Sequence, residues 1–364
     1  MNRREFLHYI AGYGASLSFV QFYISCVQKQ IEPQIDDSIL NRIAIIDAHA
    51  HPDQFYGKWL RRIDKTSTLK KIIEIKMMAS SFAAVGDLIY LSGGKLSGSE
   101  FEQTKTQLSR VQKLSEEAKV HSVRHADDIL TQMESYKSPG AILAIEGADC
   151  LEGDPSKLDY FHRQGVRMIT IVHYRINEVG DIMTSPPKHL GLTSIGRKVV
   201  ERMEKLGMIV DVAHTHPLTL KEVVEACSKP LIDSHTSLSP VHEPSEHESK
   251  AIRRMRSWQQ MEWIANTGGL ICTWPLAYQL GSWKRKTFID WATEILEMKK
   301  RLGIEHVALG TDGGGMIPWL ISGYRDIRDL NKLAAAMLHI GLSNDDITAF
   351  MGGNFYRIFK MSVG

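Results

Sequence analysis

Two histidines stand one residue apart at the end of an apolar run in "RIAIIDAHAHPDQF", residues 42–55. In a strand, residues i and i+2 face the same side, so His49 and His51 would aim both imidazoles one way. Two neutral imidazoles aimed together can bind a metal, and they can equally be polar residues at a strand exit. The same placement recurs along the chain. Glu146 closes "AILAIE", His173 follows "MITIV", His214 follows "MIVDVA", His235 follows "PLIDS" and Asp312 follows "VALGT". Each has a bland explanation when taken alone. A single strand-end histidine is usually a hydrogen-bonded structural residue, Glu146 before a glycine could cap a helix, and Asp312 in "GTDGGG" could be a turn residue. Together, nitrogen and oxygen donors at one relative place after apolar runs fit the ligand demands of zinc, with a position left open for water.

Such donors must be brought to one rim by the elements that carry them. After residue 40, short apolar runs rich in β-branched residues alternate with amphipathic stretches. The runs are 43–47, 141–149, 167–174, 208–215, 230–235, 268–274 and 306–312, with a weaker one at 82–91. The clearest helix is "TSIGRKVVERMEKLG", where Ile195, Val199, Met203 and Leu206 share a face, Thr193 and Ser194 stand at its start and Gly207 ends it. Alternating β and α units predict a parallel sheet covered by helices. Eight candidate strands favour a closed (β/α)8 TIM barrel, whose strand C-termini surround one site. No Gly-x-Gly-x-x-Gly turn follows the first strand, which removes the simplest dinucleotide reading. Residues 95–137 form a charged, helix-like insertion, and with no Pro- or Ser-rich linker a single catalytic domain over 40–364 is the economical expectation. Asp211 and Asp233, within strands ahead of His214 and His235, are read as partners that orient imidazoles. His162, His189, His216, His242 and His247 lie outside the strand-end register and are read as surface or loop residues.

The chain has 364 residues, 43% hydrophobic, and 44 basic against 42 acidic residues for a net charge of +2. No strong field favours nucleic acid or an anionic membrane. Cys26, Cys150, Cys227 and Cys272 show no C-x-x-C spacing, so neither a disulfide framework nor a thiolate zinc site is expected. Residues 1–30 read as an export or lipoprotein signal rather than as fold. Arg3 and Arg4 precede a segment from Phe6 to Gln28 with no Asp, Glu, Lys or Arg. "NRREFL" resembles a twin-arginine signal, and "YISC" resembles a bacterial lipoprotein box, with Tyr23 departing from its usual aliphatic residue. The expected location is exported: periplasmic, or anchored to a bacterial membrane through a lipid on Cys26.

Several blocks carry a resemblance: "IDAHAHPD", "AILAIEGADCLEGD", "ITIVHY", "GLTSIGRKVVERMEKLGMIVDVAHT", "LIDSHTS", "ALGTDGGG" and "MGGNFYRIF". Over roughly residues 40–360 the chain resembles the membrane (renal-type) dipeptidases, binuclear zinc peptidases on a metallo-dependent hydrolase barrel. The resemblance implies two Zn2+ per subunit. His49 and His51 would hold one, His214 and His235 the other, and Glu146 would bridge them. His173 would face the substrate, to polarise the scissile carbonyl or steady the developing oxyanion, and Asp312 would move the water's proton. An arginine of "AIRRMRSW", Arg254 or else Arg253, would bind the carboxylate of a small dipeptide, and the family suggests a homodimer. A bridged zinc pair acidifies water, and a guanidinium matches a carboxylate in bidentate fashion.

Two departures bear on substrate more than on chemistry. The family's first motif is His-x-Asp, and here it is His49-Ala50-His51; a neutral imidazole in place of a carboxylate leaves the metal pair more positive. The family's Asp-Phe-Asp-Gly is here "DGGG", and its Arg-Asn is Arg254-Met255. An exported amidohydrolase acting on a lactone, ester or other amide is therefore the second functional reading, and a non-catalytic lipoprotein on a degenerate barrel is the third.

Overall fold

A computed structural model describes residues 43–52, 67–129, 138–241, 250–280 and 282–364. Residues 1–30, read from the sequence as a signal and including Cys26, fall outside these residues, as do His242 and His247. Eight strands pair in parallel and in chain order: β1 (Ile46–Ala50), β2 (Ala79–Val85), β3 (Gly140–Glu146), β4 (Val166–Thr170), β5 (Ile209–Asp211), β6 (Ile232–Thr236), β7 (Leu270–Thr273) and β8 (Val307–Leu309). The seam between β1 and β8 is closed at its upper end by backbone and side chain. His51 N donates to Gly313 O at 2.7 Å, Asp312 N to His49 O at 2.9 Å, and Thr311 N to the Asp47 carboxylate at 2.7 Å. This is the expected (β/α)8 barrel.

Helices cover it because the sequence gives them apolar stripes and stops. The helix Ser194–Leu206 is capped by the Thr193 hydroxyl, which accepts from Gly196 N, and ends at Gly207 with φ +70°. Val199 and Met203 are buried on its inner face. The insertion after β2 carries an 18-residue helix, Glu100–Glu117. Its Gln107 holds the end of β2 from both sides, accepting from Val85 N at 3.0 Å and donating to Val85 O at 2.8 Å.

The weak run at 82–91 divides differently from expectation. The strand occupies Ala79–Val85, and Leu88–Leu91 is a helical turn. Gly86 is the point of division: a Cβ there would lie 1.7 Å from Gly147 O, so the chain can turn against β3 only at a glycine. That turn places Asp87 inside the molecule.

Inside the barrel, Ile46, Ala48, Ala144, Met168, Ile209, Ile232, Leu270 and Ala308 pack with Phe355 and Phe359 of the helix Asn354–Ser362. Two residues further along the same strand faces come Glu146, Thr170, Asp211 and Ser234, so the apolar barrel core is topped by a polar layer. The β1–β2 pairing is irregular between Asp47 and Ala50, and the β6–β7 pairing between Asp233 and Thr236. Bulges of this kind re-aim side chains, and these two fall on the strands that carry His49 and His235.

Candidate metal centre

The Glu146 carboxylate lies at the middle of the barrel mouth, 2% exposed. Five imidazole Nε2 atoms surround it. His49 (3.6 Å), His214 (3.1 Å) and His235 (3.4 Å) approach Oε1, while His51 (3.5 Å) and His173 (3.2 Å) approach Oε2. Asp312 Oδ1 is 3.6 Å from His51 Nε2. Among the described residues, two triads have ligand atoms close enough to share an ion: His49, His51 and Glu146, and Glu146, His214 and His235. Glu146 belongs to both.

Three of the rings are aimed by what their outer nitrogens touch. His51 Nδ1 lies 3.1 Å from Ala83 O on β2. His173 Nδ1 pairs with Asp87 at 2.8 Å, and the other Asp87 oxygen accepts from Tyr174 N. His235 Nδ1 lies 2.9 Å from the Ser234 hydroxyl. For His51 and His235 a hydrogen-bonded outer nitrogen selects the tautomer whose inner lone pair faces the mouth. For His173 burial opposes charge, but the Asp87 and Glu146 carboxylates raise its pKa and favour a ring protonated on both nitrogens.

Four features make the donor set fit metal ions. His49 Nε2 is buried and has no hydrogen-bond partner. Burial should lower the His49 pKa, yet the Glu146 carboxylate raises it to about 9, so the position attracts positive charge. Glu146 itself, despite its burial, is held well below the ordinary carboxylate range by His173, His49 and His214. On the other side, burial and then Arg254 push His214 well below its usual value, and burial, His49 and Arg254 do the same for His235. Neutral imidazoles are the metal-binding form.

Local backbone supports the arrangement. His214 and Asp312 are non-glycine residues with φ +66° and +49°, and such strain collects at functional sites. Gly315 accommodates Asp312, since a Cβ there would lie 1.9 Å from its carboxylate oxygen.

Of the two candidate arginines, Arg254 enters the mouth. It is 8% exposed, its Nη2 lies 2.8 Å from His214 Nε2, and its guanidinium carbon lies 5.2 Å from the Trp274 ring centroid. Arg253 lines a neighbouring pocket with Ser185, His216 and Gln260. Asp211 does meet the imidazole layer, through Ser234. Asp233 does not: it is clamped by the buried Arg256 at 2.6 Å. His162, His189 and His216 stand away from the mouth; His216 caps a helix by accepting from Leu218 N. Asp87 was not legible as a site residue, because its run reads as one strand and nothing local marks it.

A parallel barrel gathering imidazoles and carboxylates at its C-terminal mouth defines the class, a metal-ligating barrel of the metallo-dependent hydrolase fold. Within it, the chain belongs to the membrane dipeptidase family, peptidase family M19, whose profile matches residues 34–362. A dipeptidase of Claviceps purpurea, tcpJ, is 28% identical over 261 residues, covering 70% of this chain and 57% of that protein. The match thus spans little more than half the length of that relative. The probable dipeptidase PvdM of Pseudomonas aeruginosa shares the fold with a TM-score of 0.73 at 18% identity, covering 89% of this chain and 96% of that one. A metallo peptidase of Rhodobacter sphaeroides, solved with a phosphinate mimic of the dipeptide L-Ala-D-Ala, shares it with a TM-score of 0.72 at 18% identity, covering 88% and 99%.

Proposed function

We propose that this chain is a dipeptidase that uses two zinc ions, one held by His49, His51 and Glu146, the other by Glu146, His214 and His235. The observation that carries the reading is the convergence of five imidazole nitrogens on one buried carboxylate. Bound there, a zinc pair would supply an activated water and polarise the scissile carbonyl. The remaining work falls to the chain's own side chains.

Arg254, buried and lying over the Trp274 ring, would take the terminal carboxylate of a short peptide in bidentate fashion. Burying that charge pair restricts the site to substrates with a free C-terminus close to the reacting bond. Asp312 accepts the proton of the attacking water and returns it to the leaving amine, a shuttle suited to a carboxylate. His173, held at Nδ1 by Asp87, turns its protonated Nε2 toward the mouth to donate to the developing oxyanion.

A specific feature favours the second reading, a lactone, ester or other amide as substrate: His51 stands where the family has aspartate, so the first triad has one carboxylate fewer. Arg254 argues for the peptide, since an ester or lactone without a carboxylate would leave it unpaired. Incubating the zinc-loaded protein with a broad dipeptide panel, with mass-spectrometric readout, tests this; full metal content with every dipeptide uncut would reject it. For the whole protein, we propose export through residues 1–30, with lipid attachment at Cys26 and assembly as a homodimer. Acyl labelling of wild type and Cys26→Ala, and sedimentation of the mature chain, test these points.

A further inference from the structure

We propose that Ser234 is a positioning residue shared by both metal triads, its one hydroxyl orienting the rings of His49 and His235 together. The inference rests on the two-metal reading above and goes beyond it.

Ser234 occupies the polar layer that tops the barrel core, fully buried on β6 directly before His235. Its Oγ has three neighbours: Asp211 Oδ2 at 2.7 Å, His235 Nδ1 at 2.9 Å and, more loosely, His49 Nδ1 at 3.4 Å. A hydroxyl has one proton to donate and two lone pairs to accept with. Asp211 uses the proton. Its carboxylate accepts from Ser234 N and Ala213 N on Oδ1, each at 3.0 Å, and from the Thr170 hydroxyl at 2.5 Å on Oδ2. Surrounded by donors on every side, this carboxylate can only accept from Ser234.

The two lone pairs therefore face the two histidines, and each ring must present an Nδ1–H. With Nδ1 protonated, each Nε2 carries the free lone pair that a metal needs, and both point toward Glu146. His49 belongs to one triad and His235 to the other, and their ring centroids are 4.3 Å apart. One hydroxyl thereby sets the tautomer and tilt of a ligand in each triad. His51, His173 and their partners Ala83 and Asp87 lie outside this arrangement.

The direction of the hydrogen bonds supplies two different perturbations. Ser234→Ala removes the acceptor and frees both rings. Asp211→Asn is nearly isosteric and reverses the polarity. With its oxygen kept for the two backbone N–H groups, the new amide NH2 faces Ser234 Oγ and donates to it. The serine proton then turns toward an imidazole Nδ1, which must give up its own proton, and the proton moves to Nε2, where it blocks metal binding.

The experiment uses the full-length chain stripped of metal with a chelator. It is then titrated with Zn2+ against a chromophoric competitor, and separately with Co2+ followed by visible absorption. The wild type is expected to take up two equivalents. Ser234→Ala is expected to weaken both equivalents by about 10- to 100-fold, the usual effect of removing a partner that orients a ligand. Asp211→Asn is expected to weaken at least as much the one equivalent whose histidine receives the serine proton, with an altered Co2+ spectrum and retained far-ultraviolet dichroism. Should Ser234→Ala destabilise the fold, Ser234→Cys, which fills the space with a weak acceptor, takes its place. Affinities within about threefold of wild type at both sites would overturn the proposal while leaving the two-metal reading standing. Weakening confined to one equivalent when the hydroxyl is removed would also overturn it, since the serine would then serve a single ligand. A wild type that takes up no zinc would remove both this inference and the function it builds on.

Discussion

Replacing Asp87 by asparagine isolates the contribution of the His173 imidazole without touching either metal triad. Asp87 is fully buried, one carboxylate oxygen accepting from His173 Nδ1 at 2.8 Å and the other from Tyr174 N at 3.1 Å. Asparagine keeps the shape but has only one acceptor. If its oxygen stays with His173, the amide NH2 is pressed against the Tyr174 N–H, two donors face to face in a buried site. If the amide turns over, its NH2 faces Nδ1, the imidazole loses that proton, and the ring is held neutral. Both outcomes lose a charge-assisted hydrogen bond, worth about 1.5–3 kcal/mol. Converted to rate, that is a fall in kcat/KM of roughly 10- to 150-fold. The assay is steady-state hydrolysis of the best dipeptide by Asp87→Asn carrying its full metal complement, with thermal unfolding as a control on folding. A variant with full metal and kcat/KM within about twofold of wild type would show that His173 needs neither its charge nor its orientation, and the assignment of the oxyanion role would fail.

The other expectations can be tested in the same preparations. Arg254→Ala should raise KM for dipeptides by roughly 10-fold or more, as a buried charge-assisted pair is lost, and should leave a C-terminal amide analogue unaffected; equal loss on both substrates would refute carboxylate recognition. His235→Ala should lower tightly bound zinc from two to one per chain by elemental analysis, since the triad of His49, His51 and Glu146 remains. Gly315→Ala should reduce kcat more than metal content, because the new Cβ would occupy the space within 1.9 Å of the Asp312 carboxylate; unchanged kcat would remove Asp312 from the proton path. Away from the mouth, burial would raise Asp329, yet hydrogen bonds from Arg325 and Lys332 hold it at about 2 against an ordinary 3.8. A depressed carboxylate contributes stability above the unfolded value that is lost as pH falls through the folded one. Asp329→Asn should therefore flatten the acid limb of stability between about pH 4 and 2, by on the order of 1 kcal/mol given the solvent screening of Arg325. Chemical denaturation at stepped pH measures it.

The alternation of apolar runs with amphipathic stretches, and the donors placed just after those runs, depend on local periodicity alone, so barrel and candidate ligands were both readable along the chain. So was the helix from Ser194 to Leu206, whose cap, stripe and stop lie within fifteen consecutive residues. Contacts between distant segments decided the rest. The seam that closes the barrel joins Asp47 to Thr311, 264 positions apart. Only packing showed that Arg254 turns into the mouth while Arg253 lines the next pocket, or that Asp233 serves Arg256 while Asp211 serves Ser234. Asp87 sits in a run that reads as strand, and becomes a partner of His173 only because Gly86 lets the chain turn against β3. Periodicity tells which face a side chain takes; which buried polar groups meet there is settled by where the closed barrel brings them, since each must find a partner once water is excluded.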